Sequence, residues 1–420
     1  MHDMYWRELI CMMKEEIAGS ISSLLNDERF KKALQYLEED QQNKIDELKE
    51  MTLVSGAPFT EPELRAPYFL QKLKACGLED CRMDEAGNVF GAVRGGDDAV
   101  ILTESHLDTV FGPEVELSLR EDENGVLHCP GVADDTASMA NELSVIRAIK
   151  MAGLQPVHTL LFGGTVGEEA PGLARGVRHI MATQKNIAAY LALDSGQDFD
   201  VMTGALSCQR YEILLNGPGG HSWQDAGRTN AIAAMGRIIS RLADLRPETD
   251  IKTTLNFGII SGGTTVNSIA SSASMHIDVR SLEPAEKDAY EKRILEEIRQ
   301  GVAEENAAHP DSLPIELTLK PYGTKPGGNT PADSPIVIAA LESAKAVGLP
   351  RTICPAGSTN ANFPISMGVP ALCVNTTGSC GNMHARDEWY DPKESWKGAQ
   401  ALLIHLFLLA GLKGVTSPVL

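Results

Sequence analysis

From residue 99 the chain reads Ala-Val-Ile-Leu-Thr and then turns abruptly polar through Glu104, Ser105, His106, Asp108 and Thr109. A short, largely β-branched apolar run with a polar end is how a buried parallel strand reads when its C-terminal tip opens onto a site. On extended backbone residues i and i+2 share a face, which places His106 beside Asp108, where a carboxylate can accept the spare ring N–H. The same form recurs twice. Apolar residues 159–163 lead to Gly167, Glu168 and Glu169, and residues 188–193 lead to Asp194. Strand C-termini in an open α/β sheet meet along one edge, so these distant acids converge there with His106.

Elsewhere the pattern predicts helices over 4–53, with Phe30, Leu34, Leu37, Ile45 and Leu48 near one face, and a helix to residue 75 opened by a Thr60/Glu63 capping box. Residues 88–93 and 99–103 read as neighbouring strands. Residues 114–120 and 126–129 read as a hairpin through Asn124-Gly125, leading to Asp134 and to Asp135 as the N-cap of the next helix. Between 208 and 320 the order becomes β-α-β-β-α-β, the split βαβ or ferredoxin-like unit. Pro321, Gly323, Pro326, Gly327 and Gly328 mark a return linker, after which helix 335–347, strand 371–375 and helix 396–412 resume the first pattern. The expected organisation is one domain built from 1–205 and 323–420, carrying a helical extension over 1–53, with a second domain inserted at 206–322.

The length and the 43% hydrophobic content support two buried cores. With 37 basic against 57 acidic residues the net charge is −20, which argues against nucleic acid or an anionic membrane as partner. Charged residues Asp3, Arg7, Lys14, Glu15 and Glu16 interrupt the start, and no run is long enough to span a bilayer. The eight cysteines show no Cys-x-x-Cys or zinc-finger spacing, so reduced thiols and a cytoplasmic location are expected. The chemistry lies instead in His106, Asp134, Glu168, Glu169, Asp194 and His384, a nitrogen and oxygen donor set that suits zinc, manganese or cobalt. Six such groups exceed one tetrahedral site. Two cations sharing a carboxylate would use them, leaving one of the divergent neighbours Glu168 and Glu169 to carry a proton.

In order along the chain stand Ser105-His106-Leu107-Asp108-Thr109-Val110, Asp134-Asp135, Gly167-Glu168-Glu169, Leu193-Asp194, Gly217-Pro218-Gly219-Gly220-His221-Ser222 and His384-Ala385-Arg386-Asp387-Glu388. This ordered set, over about residues 55 to 412, resembles the co-catalytic zinc hydrolases that include peptidase T, aminoacylase, glutamate carboxypeptidase and succinyl-diaminopimelate desuccinylase. The resemblance implies an α/β fold: a zinc-exopeptidase-like catalytic domain with a mixed, mostly parallel sheet, plus the inserted ferredoxin-like α+β dimerisation (lid) domain. It also implies that His106 and Asp194 bind one divalent ion, that Glu169 and His384 bind another, and that Asp134 bridges them. The ions would be zinc, or cobalt or manganese. Asp108 would orient His106, and Glu168 would be the general base that deprotonates a metal-bound water. His221 would steady the oxyanion, reaching across a homodimer from the partner's inserted domain, and Asn267 and Arg280 would grip the substrate carboxylate.

The implied activity is hydrolysis of an amide bond in a small peptide, with the peptidase T branch favoured by Gly262-Gly263-Thr264-Thr265-Val266-Asn267 and by the segment around Asn360. An N-acyl-amino-acid deacylase or carboxypeptidase is the alternative of the same chemistry. A catalytically silent dimeric metal- or ligand-binding protein is the alternative of another class, against which the presence of Glu168 speaks. Asn360 departs from the family pattern, where aspartate is common. His128, His158, His179, His276, His309 and His405 lack a partner pattern and read as structural.

Overall fold

The apolar run at residue 99 forms the strand Val100–His106, buried along its whole length inside an eight-stranded mixed sheet. The computed structural model describes residues 2–195, 201–375 and 378–420. The sheet runs in the order Glu79–Met83, Val89–Val93, Thr159–Thr165, Val100–His106, Ile187–Leu193, Ala371–Val374, Val201–Met202 and Ile353–Cys354. Its centre is parallel: Val100–His106 pairs in parallel with both Thr159–Thr165 and Ile187–Leu193, and Ala371–Val374 adds in parallel to the latter. Alternate residues of these strands enter opposite cores. Ile101, Leu160, Phe162 and Leu191 join one apolar cluster, while Val100, Leu102, Leu161 and Tyr190 join the other, as a period of two requires.

Residues 89–93 and 100–106 are not neighbours, contrary to the pattern-based expectation. Thr159–Thr165 lies between them, antiparallel to the first and parallel to the second. Gly163 makes this possible, because a Cβ there would stand 2.3 Å from the Phe90 ring and from the Val89 carbonyl. The predicted capping box is also absent. Thr60 Oγ1 donates to the Ala57 carbonyl, and the helix begins later, as Arg65–Ala75.

The extension forms three helices, His2–Asn26, Glu28–Glu39 and Gln41–Thr52. Phe30 meets Phe407 of the helix Trp396–Ala410 edge to face at 5.6 Å. Arg147, on the helix Thr136–Ala152, ion-pairs with Asp40 and Glu47, both at 2.6 Å. Beside them the buried Lys44 ammonium donates to Asn141 Oδ1 and Ser395 Oγ, both at 2.8 Å.

Two units divide the chain, one of Met1–Ala205 with Asn329–Leu420 and one of Leu206–Gly328. The second holds an antiparallel sheet in the order Glu316–Lys325, Ser207–Asn216, Ser272–Ser281 and Thr253–Gly262, the ferredoxin-like arrangement. Its core is made by Ile213, Met275 and Ile277 of the sheet with Ile238 of the helix Ala231–Ala243 and Ile294 of the helix Pro284–Ala308. Pro321 and Gly323, taken as linker from composition, belong to the strand Glu316–Lys325, where Pro321 pairs with Tyr211. That strand is at the sheet edge, the position at which a missing N–H is tolerated. Among the described residues no helix is long and apolar enough to cross a membrane.

Candidate metal centre

His106 is the last residue of the central strand, so its ring projects from the sheet edge while its backbone stays in the ladder. Asp134 stands two residues before the helix Thr136–Ala152, next to its N-cap position Asp135. The chain brings His384 to it through a small antiparallel sheet, in which Trp389–Asp391 pairs with both Ser379–Gly381 and Leu127–His128. Glu168 and Glu169 follow the strand Thr159–Thr165, and Asp194 follows Ile187–Leu193.

These residues meet. His106 Nε2 lies 2.8 Å from Asp134 Oδ1, and His384 Nε2 lies 3.1 Å from Asp134 Oδ2 and 2.6 Å from Glu169 Oε1. Two groups with mutually close ligand atoms result, His106 with Asp134 and Glu169, and His106 with Asp135 and Asp194.

Charge within the cluster is unbalanced. Burial and the neighbouring Asp134 push Asp194 well above the usual carboxylate range, and burial does the same to Asp135. Burial opposes ionisation of Asp134 too, but hydrogen bonds from His106 and His384 outweigh it and hold that carboxyl below its ordinary value. His384, bonded to Asp134 and Glu169, is raised to about 10. So many acids brought together call for positive charge, and the donors of imidazole and carboxylate are those that divalent cations take. Asp135 Oδ1 is buried with no hydrogen-bond partner, a further acceptor turned inward. The residues present fit a metal centre.

Residues 102–406 match the Peptidase family M20/M25/M40. The chain belongs to this family. It is therefore a metal-dependent hydrolase of the M20 type, acting on amide bonds. Across 342 residues, 77% of this chain and 86% of the relative, it is 27% identical to the uncharacterised protein YqjE of Bacillus subtilis. It is 28% identical to an acetylornithine deacetylase of Proteus mirabilis over 77% of this chain and 83% of that one. Its fold matches the aminopeptidase PepT of Bacillus cereus with a TM-score of 0.73 and 21% identity, covering 87% of this chain and 97% of the other.

Within this M20 chain the remaining site residues fall into two groups. Asp108 and Glu168 lie with the cluster, both buried. The His106 Nδ1 bond, expected to reach the Asp108 carboxylate, goes to the Asp108 backbone carbonyl at 2.9 Å, with the carboxylate at 3.8 Å. The strand ends at His106, so the i, i+2 relation of an extended chain does not carry to Asp108. Asp135 makes no side-chain cap to its helix, contrary to expectation, and its Oδ2 accepts from the His106 N–H at 3.0 Å.

His221, Asn267 and Arg280 belong to the Leu206–Gly328 unit. His221 is exposed, and its Nδ1 accepts the Trp223 N–H at 3.2 Å, which leaves the ring proton on Nε2 as a donor. The Ser222 N–H donates to the Asn267 carbonyl, so these two residues are neighbours. The Arg280 guanidinium is engaged by Asp278 at 2.9 Å, and Arg210 reaches the same carboxylate at 3.3 Å. Two guanidinium groups on one acid leave a surplus positive charge there.

Asn360 faces the sheet. Its amide donates to Glu104 Oε2 at 3.1 Å and to Thr165 Oγ1 at 2.8 Å, fully buried beneath the strand that carries His106.

Two positioning groups were not singled out from the chain alone. Glu388 accepts from the backbone N–H groups of Gly131, Ala133 and Asp134 at 2.8–3.0 Å, fixing the loop that presents Asp134. Its place four residues after His384 in the quoted motif was the available signal. Arg65, 1% exposed, donates to the Leu107 and Met51 carbonyls and to Thr136 Oγ1. Burial lowers its pKa to about 10, against the pull of Asp108, Asp135 and Glu388. A lone arginine on a helix carries no such signal.

Proposed function

We propose that this M20 protein is a dinuclear hydrolase of small peptides. The observation that carries the reading is the Asp134 carboxylate, with one oxygen toward His106 and the other toward His384. In this assignment His106 and Asp194 would hold one ion, Glu169 and His384 would hold the other, and Asp134 would serve both. Zinc fits best, with cobalt or manganese able to replace it. Bound ions there supply Lewis acidity.

The chain's own groups handle the protons and the charge. Glu168 removes a proton from the attacking water as its oxygen bonds to the amide carbon. The C–N bond then breaks, and Glu168 returns the proton to the departing nitrogen. His221 Nε2–H donates to the oxyanion that develops between these steps. The surplus charge at Arg280 and Arg210 suits a substrate carboxylate, which Asn267, placed beside His221, would meet from the other copy.

A homodimer through the inserted unit supports this assembly. His221 sits near the Ser272 end of the strand Ser272–Ser281, because Gly220 pairs with Ile269 beside it, whereas Arg280 lies at the other end. At about 3.3 Å per residue that strand separates them by roughly 26 Å, too far for one copy's unit to offer both to one centre. Two copies can. The edge strand Thr253–Gly262 exposes Ile259 and Ile260, an apolar unpaired edge of the kind that takes a partner. Eight free cysteines accord with the cytoplasm.

The deacetylase relative of Proteus mirabilis favours a second reading, an N-acyl amino acid as substrate. Comparing di- and tripeptides with their N-acylated forms separates the two. Chelation should abolish turnover, and added zinc, cobalt or manganese should restore it. Glu168→Gln should keep its metal by elemental analysis while losing about 10²–10⁴ in kcat. Full turnover after complete chelation, or in that variant, rejects the proposal.

A further inference from the structure

The Asp108 carboxylate lies 3.8 Å from His106 Nδ1, but its hydrogen bonds go elsewhere. It is 1% exposed, its Oδ1 accepts the Glu168 N–H at 2.9 Å, and its Oδ2 accepts the Glu169 N–H at 2.8 Å. Two successive backbone N–H groups closing on one carboxylate form an anion nest, and charge-assisted bonds of this kind are the strong ones. His106 meanwhile has its Nδ1 partner in the Asp108 main-chain carbonyl.

The loop so held is irregular. Gly167 has φ of +67°, where a side chain would collide with the Arg175 guanidinium, and Leu173 and Ala174 also take positive φ. Other contacts hold its flanks. Asn88 Oδ1 accepts from Val166, the Val166 carbonyl accepts from Gly176, and Arg175 pairs through both terminal nitrogens with the buried Glu61. Asp108 is the side chain that grips the backbone of Glu168 and Glu169 themselves.

We infer that Asp108 is the positioning residue of the Glu168–Glu169 pair, aiming the general base and its neighbouring ligand through their backbone, while the tautomer of His106 is set by a main-chain carbonyl that no side-chain substitution removes. The inference rests on the reading of Glu168 as the base. Asp108→Asn keeps the shape but turns an N–H-bearing end toward a backbone N–H, so one of the two bonds becomes a clash of donors.

The test is residue-resolved amide hydrogen exchange, with bound metal measured in parallel. In Asp108→Asn the Glu168 and Glu169 amides should exchange about tenfold faster or more, with metal content kept. The kcat should fall on the order of 10²-fold with little change in KM, as a displaced base requires. Asp108→Glu, which retains two acceptor oxygens, should restore part of the protection. Unchanged exchange at these amides together with lost metal would overturn the inference, since the carboxylate would then act on His106. Should the variants fail to fold, the wild-type protein decides: its Glu168 and Glu169 amides should exchange about tenfold slower than that of Ala170, and equal rates would refute the clamp. Full turnover in Glu168→Gln would remove the base while leaving the exchange result standing, so the two failures are distinguishable.

Discussion

Asp134 offers one carboxylate oxygen to His106 at 2.8 Å and the other to His384 at 3.1 Å, although 250 positions separate it from the second histidine. In the two-ion centre proposed above, Asp134 would be a ligand to both ions and so would act on both halves. Asp134→Asn should therefore lower occupancy at both metal positions, by elemental analysis, and abolish turnover. Loss of one ion with the other bound at wild-type affinity would contradict the sharing.

Glu388 holds the Asp134 loop by three backbone N–H groups. In Glu388→Gln one oxygen becomes an amide donor facing those N–H groups. Metal affinity, measured by competition with a chelator, should drop about 10- to 100-fold, as for other supports of a ligand. An unchanged affinity would limit Glu388 to stability.

Asn360 contacts a buried carboxylate, and burial already pushes Glu104 up to about 7. Asn360→Asp would set two acids against each other out of water, costing on the order of 2 kcal/mol or more at pH 8. Glu104→Gln in the same chain should restore most of the loss. A midpoint of urea unfolding that does not move in Asn360→Asp would show that the pair is relaxed.

Ile260, 61% exposed on the edge strand of the second unit, tests the homodimer. Ile260→Lys should yield monomers in sedimentation and lose most turnover while keeping its metal. A fully active monomer would separate His221 from any role across the dimer.

Lys44 is buried between Asp40, Arg147, Asn141 and Ser395, and burial lowers its pKa from 10.5 to about 7. The unfolded chain keeps this proton up to about pH 10.5 and the folded chain only to about pH 7, so unfolding takes up a proton in that window. Stability from this group therefore rises with pH by about 1.4 kcal/mol per unit across the window and is level below it. Between pH 9 and pH 7 the wild type should lose on the order of 2 kcal/mol relative to Lys44→Met. Parallel urea-unfolding curves for the two proteins at both pH values would exclude this.

The cluster of histidines and acids was legible because its members close apolar strands or sit in motifs, and strand ends converge by topology. That placed His106, Asp194 and the Glu168–Glu169 pair together, whereas the choice of Glu169 over Glu168 as a ligand came only from the resemblance. The roles of Asp108, Asp135, Glu388 and Arg65 were not legible, since each acts on main-chain groups, and residue spacing does not show where a backbone N–H will point. Strand order was missed at residues 89–93 for a related reason: the strand that intervenes comes some 60 residues later, and only Gly163 hints at the close approach.

Phe30 and Phe407 are ring-to-ring partners across nearly the full chain, whereas the Leu206–Gly328 unit is one unbroken stretch. During synthesis the opening helices therefore emerge long before the helix that will cover them. The inserted segment, by contrast, has all its strands as soon as residue 325 leaves the ribosome. The cluster of His106, Asp134 and His384 therefore cannot close until residue 384 has been made, well after the inserted segment has all its strands.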